Sequence, residues 1–269
     1  MISNEIKKNV GNIMISNEIK KNVGNIKQHR KDFDLRINKF ISETGAASRR
    51  EADRLIEEGK VTINGRVAVL GDQVQSTDDV RLNGKQLRAV EELVYIAFNK
   101  PVGITCTSAK DVEGNIIDYI NHPLRIIHVG RLDKDSNGLI LLTNDGDIIN
   151  RILRAEYNHE KEYIVSVDKP ITNSFLKKIS AGVEILDTKT LPCKVTQLSK
   201  HEFQIILTQG LNRQIRRMCE VLGYQVKTLK RIRIMNIHLG KLPVGRWRDL
   251  TKKEKKTLFT DLNYKPKIR

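Results

Sequence analysis

Apolar positions first become periodic at Ile37, Phe40 and Ile41, whose spacing predicts a helix ending near Thr44 with Gly45 just beyond it. Ser48 and Glu51 stand at capping-box spacing, which predicts a second helix whose Ala52, Leu55 and Ile56 face inward as far as Gly59. Short strands are predicted at 61–63 and 67–70 around Asn64-Gly65, a type I′ hairpin signature. From Asn83 to Glu92 the chain turns polar, with a second Asn-Gly at 83–84, and then enters an apolar run at 93–98. A domain boundary is expected there.

Beyond it, strand patterns recur at 139–142, 161–167, 194–198, 203–208 and 232–239, and helical patterns at 148–153, 174–181 and 213–222. Strands predominate, without a regular βαβ rhythm. The expected fold class is therefore α+β, with a largely antiparallel or mixed sheet flanked by helices. The domain reading is a tail over 1–34, a small domain over 35–90, a larger one over 91–264 and a basic end over 265–269. Residues 1–13 are repeated without change at 14–26. A repeat so short and so exact reads as a recent duplication in a mobile basic tail.

With 39% hydrophobic and 30% charged residues in 269, the composition is that of a soluble globular protein. No apolar run approaches the roughly 20 residues that cross a bilayer, and no signal-peptide region is recognisable at the N-terminus. A cytoplasmic monomer without membrane contact is expected. Cys106, Cys193 and Cys219 form no CxxC pair and read as small buried hydrophobes.

The formal charge of +16 calls for a polyanionic partner. Most of the excess lies in 212–269, which holds 17 Lys and Arg against 4 Asp and Glu. With only 5% aromatic residues, the chain is expected to read phosphates and folded nucleic-acid shape rather than stack single-stranded bases.

Candidate chemistry concentrates in GRLDKDSNGLILLTNDG, from Gly130 to Gly146. It sets Asp133 after Arg131 and ahead of Asn137-Gly138 and an apolar run. Taken alone, the segment is either a solvated hairpin turn or a site at the mouth of a buried strand. In the helix predicted at 213–222, Ile215, Met218, Cys219 and Leu222 make an apolar face, and Arg213, Arg216 and Arg217 share the other side. Other signals fail. His159-Glu160 lacks the second His of a metalloprotease helix, and no G-x-S-x-G, G-x-G-x-x-G or P-loop occurs, so neither metal nor cofactor is expected.

The segment LRINKFISETGAASRREADRLIEEGKVTINGRVA resembles the S4 RNA-binding domain. Arg36, Lys39, Arg49, Arg50, Arg54, Lys60 and Arg66 are then available for an RNA-facing surface. Four later segments resemble the motifs of the RNA pseudouridine synthases of the RsuA, RluB, RluE and RluF branch. They are NKPVG at 99–103, the Asp133 segment, KEY at 161–163 and QGLNRQIRRM at 209–218. HVGRLDKDSNGLI, HEKEYIVSVDKPIT, QGLNRQIRRMCEVLGY and GRWRDLT look most like the RluF-type subgroup.

The resemblance implies cofactor-free isomerisation of uridine to pseudouridine: the N1–C1′ bond is cleaved, the base turns, and it rejoins through C5. Asp133 matches the family's catalytic aspartate, acting as nucleophile or as base toward the ribose. Arg216 matches the basic residue that pairs with that aspartate, and Tyr163 the tyrosine that packs against the target base. Arg131 resembles the residue that helps displace the target nucleotide, while Arg213 and Arg217 are read as RNA contacts. Lys100-Pro101 is read as architectural, setting the strand exit. The implied partner is 23S rRNA or its precursor particle, with a tyrosine tRNA anticodon uridine as a second substrate. The alternatives are a synthase acting on 16S rRNA and a non-catalytic S4-domain protein of RNA binding or ribosome assembly.

Overall fold

A computed structural model describes residues 34–88, 92–109, 111–154 and 158–267. The N-terminal duplication and its expected mobile tail lie outside the described residues. Two compact units divide between Glu91 and Glu92.

In the first unit, β1 (Asp34–Arg36) leads into α1 (Ile37–Glu43) and α2 (Arg49–Glu57). There follow β2 (Val61–Ile63), β3 (Arg66–Val67), β4 (Gln73–Gln75), β5 (Val80–Leu82) and β6 (Lys85–Gln86). β1 pairs with β4, and the rest form a sheet in the order β3-β2-β5-β6. Ile37, Ile41, Ala52, Ile56, Val61, Val74 and Val80 close the core. Ser48 caps α2 by accepting from the Glu51 amide at 3.2 Å, while the Glu51 carboxylate turns to Arg54. Asn64 and Gly65 both have positive φ, at 50° and 84°, as a type I′ turn requires. The strand predicted at 67–70 is shorter than expected. Asp72 accepts from the Val69 amide at 2.8 Å and bends the chain there, leaving Val69 and Leu70 exposed.

The second unit begins with β7 (Tyr95–Lys100), α3 (Ile116–Ile120), β8 (Ile127–Val129), β9 (Asn137–Thr143), α4 (Gly146–Leu153) and β10 (Lys161–Val167). It continues through α5 (Asn173–Ser180), β11 (Glu184–Ile185), β12 (Thr188–Lys189), β13 (Lys194–Gln197), β14 (Glu202–Leu207) and α6 (Gln214–Val221). It ends with β15 (Val226–Ile234), β16 (Ile237–His238), β17 (Trp247–Asp249) and α7 (Lys252–Asp261). The fold is α+β. A nine-stranded sheet runs β13-β14-β10-β15-β9-β7-β17, with β16 on β15 and β8 on β9. Its described pairings are antiparallel except for β9 with β15, so the sheet is mixed.

β7 and β9 are buried at nearly every position, and apolar along Tyr95–Phe98 and Leu139–Leu142, because both faces of this part of the sheet are covered. Ala97, Leu139 and Leu141 pack with Ile148 and Leu258 on one side; Ile96, Phe98, Ile140 and Leu142 pack with Ile116 and Ile120 on the other. In the other half, Val165, Phe203 and Ile205 meet Phe175 and Ile179 of α5 and Met218 and Cys219 of α6. Cys106 and Cys219 are buried as expected, whereas Cys193 is only partly so.

Three sequence expectations change here. Asn137-Gly138 is no turn but the start of β9, where Gly138 lies opposite Arg231 in the parallel register. The strand predicted at 232–239 begins earlier, at Val226, and breaks at a two-residue hairpin over Met235 and Asn236. Arg213 is not inside the helix but caps it at φ 51°, ψ 32°, in the left-handed region.

The carboxyl end of the unit is tied into its core. Tyr264 is buried and its hydroxyl donates to Asp145 at 2.7 Å, beside Tyr95, which donates to the same carboxylate at 2.6 Å. α7 begins with a capping box between Thr251 and Glu254, and Arg248 forks onto the Glu254 carboxylate at 2.7 and 2.8 Å. Hydrogen bonding from Arg248, then from the Thr251 amide, holds the Glu254 carboxyl at about 2, against 4.5 ordinarily. Its stabilising contribution is therefore complete above about pH 4.5 and lost as pH falls toward 2. Thermal unfolding of E254Q beside the native protein should show a gap at pH 7 that closes across that window; a gap independent of pH would contradict the assignment.

Candidate active site

Asp133 belongs to the loop between β8 and β9, and this loop is pinned at nearly every residue. The Gly130 carbonyl bonds His128 Nδ1 at 2.8 Å, and the Arg131 carbonyl accepts from Arg231 Nη1 at 3.3 Å. The Leu132 amide donates to Cys106 Sγ at 3.4 Å, and the Lys134 carbonyl accepts from the Gly103 amide at 2.8 Å. Leu132 and Ser136 point inward and are buried. Between them the Asp133 side chain is left 34% exposed, beside a cavity of about 620 Å³. A carboxylate held this way is preorganised while still reachable by a ligand.

Tyr163 and Arg216 line the same cavity, together with Arg131 and Arg213. Tyr163 is half-buried at the end of β10, where Val165 and Val167 continue its face into the core. The alternation of the strand and the opening of the cavity thus meet at one ring. Arg131 is exposed at the cavity edge.

The arginine pairing differs from expectation. Arg216 Nη2 meets Asp135, at 3.3 Å from its carboxylate and 3.0 Å from its carbonyl, and also Ser136 Oγ at 3.3 Å. It is Arg213 that reaches Asp133, at 3.6 Å, while forking onto Asp135 at 3.3 Å. The cause is local geometry. A left-handed residue at the head of α6 turns the Arg213 side chain back toward the loop, a conformation costing about 1–2 kcal/mol for a non-glycine residue. Burial would raise the Asp135 carboxyl, but the Arg213 hydrogen bond and the charges of Arg216 and Arg213 hold it below its usual range. Arg217 turns instead to Asn212, with Nε 3.1 Å from its carbonyl.

Two groups escaped the sequence reading. Lys100 is fully buried, its Nζ donating to the Pro101 and Ile104 carbonyls at 2.9 and 2.8 Å, and burial lowers its pKa. Lys100-Pro101 is architectural as read, but through the ammonium as well as the proline. Arg231 lines the cavity at 4% exposure. Carrying the alternation of Leu229 two residues forward would have found it, had the strand not been started at Ile232.

In the first unit the expected basic face is partly neutralised. Lys39 pairs with Glu43, Arg54 with Glu51, Lys60 with Glu58 and Arg66 with Asp72. Arg36, Arg49 and Arg50 are exposed, and no acidic partner faces them among the described residues.

Comparison with known proteins agrees with this layout. The family model described as RNA pseudouridylate synthase matches residues 94–221, and that of the S4 domain matches 35–86. The chain is 56% identical over 230 residues to the dual-specificity RNA pseudouridine synthase RluF of Escherichia coli, covering 85% of this chain and 79% of that one. It is 38% identical to the ribosomal large subunit pseudouridine synthase B of Bacillus subtilis, over 83% of this chain and 95% of the other. A solved pseudouridylate synthase superposes with a TM-score of 0.62 at 31% identity, covering 83% of this chain and 99% of that one. With this identity over most of both chains, and a pocketed aspartate in the matched region, the chain belongs to the RNA pseudouridine synthases.

Proposed function

We propose that this synthase isomerises one uridine of 23S rRNA and also a tRNA uridine, with Asp133 as its catalytic carboxylate. The observation that carries the site assignment is the Asp133 carboxylate held on a pinned loop beside a cavity that Tyr163 also lines. A flipped uridine entering there stacks against Tyr163 and brings its ribose to Asp133. Arg213, rather than Arg216, stands 3.6 Å from the Asp133 carboxylate and orients it; Arg216 fixes the loop through Asp135 and Ser136. Arg131, exposed at the edge, enters the space the base vacates.

RNA is held further by Arg36, Arg49 and Arg50 of the S4 unit, whose charge is not spent on acidic neighbours among the described residues. Lys39, Arg54, Lys60, Arg66 and Arg217 contribute less, being already engaged. Dual substrate use is supported by the 56% identity to enzymes named for dual specificity, and the rRNA half by the relative named for the ribosomal large subunit. Among the described residues no helix is long and apolar enough to cross a membrane. The enzyme acts as a monomer in the cytoplasm, where rRNA and tRNA are both found.

Pseudouridine mapping of cellular RNA with and without the gene tests the substrate. Loss of one 23S site together with a tRNA site is the expected result. Loss confined to 16S rRNA overturns it.

A further inference from the structure

Arg231 and Arg233 stand two apart in β15, and a regular pleat would send both to one face. The register shows otherwise. Glu162 pairs with Arg233 and Tyr163 with Arg231, leaving Ile232 over as a bulge. The two arginines consequently meet opposite surroundings. Arg233 is neutralised by Glu160 at 2.9 Å and Glu162 at 2.5 Å. Arg231, far more buried, makes no ion pair among the described residues.

Its bonds run to backbone carbonyls instead. Nε donates to Leu139 at 2.7 Å and Nη1 to Arg131 at 3.3 Å, whereas Nη2 is buried with no partner. Lys161, on the same cavity, adds a second cation close enough for Arg231 to oppose its charge. A buried guanidinium without a counter-charge is unfavourable, because burial strips the charge of its hydration. A staple between β9 and the Asp133 loop would need only Nε and Nη1. The missing negative charge is therefore expected to come with the substrate, and the place narrows its source. Arg231 Cζ stands over the Tyr163 ring, 6.0 Å from its centre, and at 4% exposure it lies at a depth that a flipped base reaches more readily than a backbone phosphate.

We propose that Arg231 is a catalytic residue whose Nη2 donates to a carbonyl oxygen of the flipped uracil. There it stabilises the negative charge the base acquires as it leaves the ribose. In that step the N1–C1′ bond breaks and its electron pair departs on the base, spread over N1 and the carbonyl oxygens. Once the ring has turned, C5 bonds to C1′, C5 gives up its proton and N1 takes one up, so no atom or electron is gained or lost. A donor aimed at charge that develops only in the reaction lowers the barrier rather than tightening ground-state binding. The assignment rests on the Asp133 cavity being the active site.

The test uses the full-length enzyme in excess over the RNA whose modification is lost without the gene, carrying uridine, 2-thiouridine or 4-thiouridine at the target. Sulfur accepts hydrogen bonds poorly. R231K should lower the single-turnover rate about 100-fold, the size typical of losing one such donor, with RNA Kd within about twofold. One thio substrate should slow the native enzyme yet add little to the defect of R231K. A folded R231K with the native rate, or one defective only in Kd, overturns the proposal. Should R231K fail to fold, the native enzyme decides alone: equal rates on all three RNAs overturn it. Active D133N would remove the cavity as the active site, whereas inactive D133N beside fully active R231K would overturn only the role of Arg231.

Discussion

D133N should lose pseudouridine formation by about ten-thousand-fold or more while keeping its fold and its RNA. Asparagine copies the shape of aspartate but can neither attack C1′ nor accept a proton from the ribose, and the loss follows from removing that group. The fold should survive because the loop is anchored by its backbone and by Leu132 and Ser136, not by the Asp133 carboxylate. A part-exposed side chain with one ion pair at 3.6 Å contributes about 0.5 kcal/mol or less to stability. RNA affinity should hold or rise, since a negative charge leaves a cationic pocket. Chromatographic quantification of pseudouridine, beside an unfolding curve and an RNA titration, checks all three parts. Turnover retained by D133N would sink the catalytic assignment.

G138A should be strongly damaging to the second unit. Gly138 has φ 106°, and a Cβ there would overlap the carbonyl and amide of Arg231 across the parallel β9–β15 seam. Positive φ and backbone overlap act together, so a loss of at least about 3 kcal/mol is expected in urea or thermal unfolding. The site should fail with it, because the displaced strand carries Arg231, which holds the Arg131 carbonyl. Gly146 supplies the control. It opens α4 with nothing near its Cβ position, so G146A should stay within about 1 kcal/mol of the native protein or slightly above it. Equal behaviour of the two variants would refute the close-approach argument.

Gly138 also shows where reading the chain succeeds and where it stops. Asn-Gly is a sound hairpin signal at 64–65, where both residues take positive φ between two antiparallel strands. The same dipeptide at 137–138 is spent on something else. Asn137 and Gly138 are the two positions at which β9 pairs in register with β15, and glycine is needed at 138 to let two backbones approach. Only a partner some 90 positions along the chain distinguishes the two uses, as the 92-residue separation of the Arg231–Leu139 bond illustrates.

The helices α1 and α2, the doubly buried run of β9 and the inward alternation of β10 were legible because each depends on local periodicity and capping. So was Asp133, through its motif. The basic face of the S4 unit was legible in composition but not in effect, since nearby Glu and Asp side chains take up four of its seven cations.

Local chain chemistry was thus enough to set the element types, the two-unit order, the polyanionic partner and one carboxylate worth testing. Which arginine faces which carboxylate waited on tertiary packing. Arg213 meets Asp135 across 78 positions through a left-handed residue, and Arg231 reaches the Arg131 carbonyl across 100 through a bulge. A bulge or a reversed φ redirects a side chain without altering the hydrophobic pattern around it. That is why the aspartate could be read from the chain, while the cations around it could be assigned only in the folded protein.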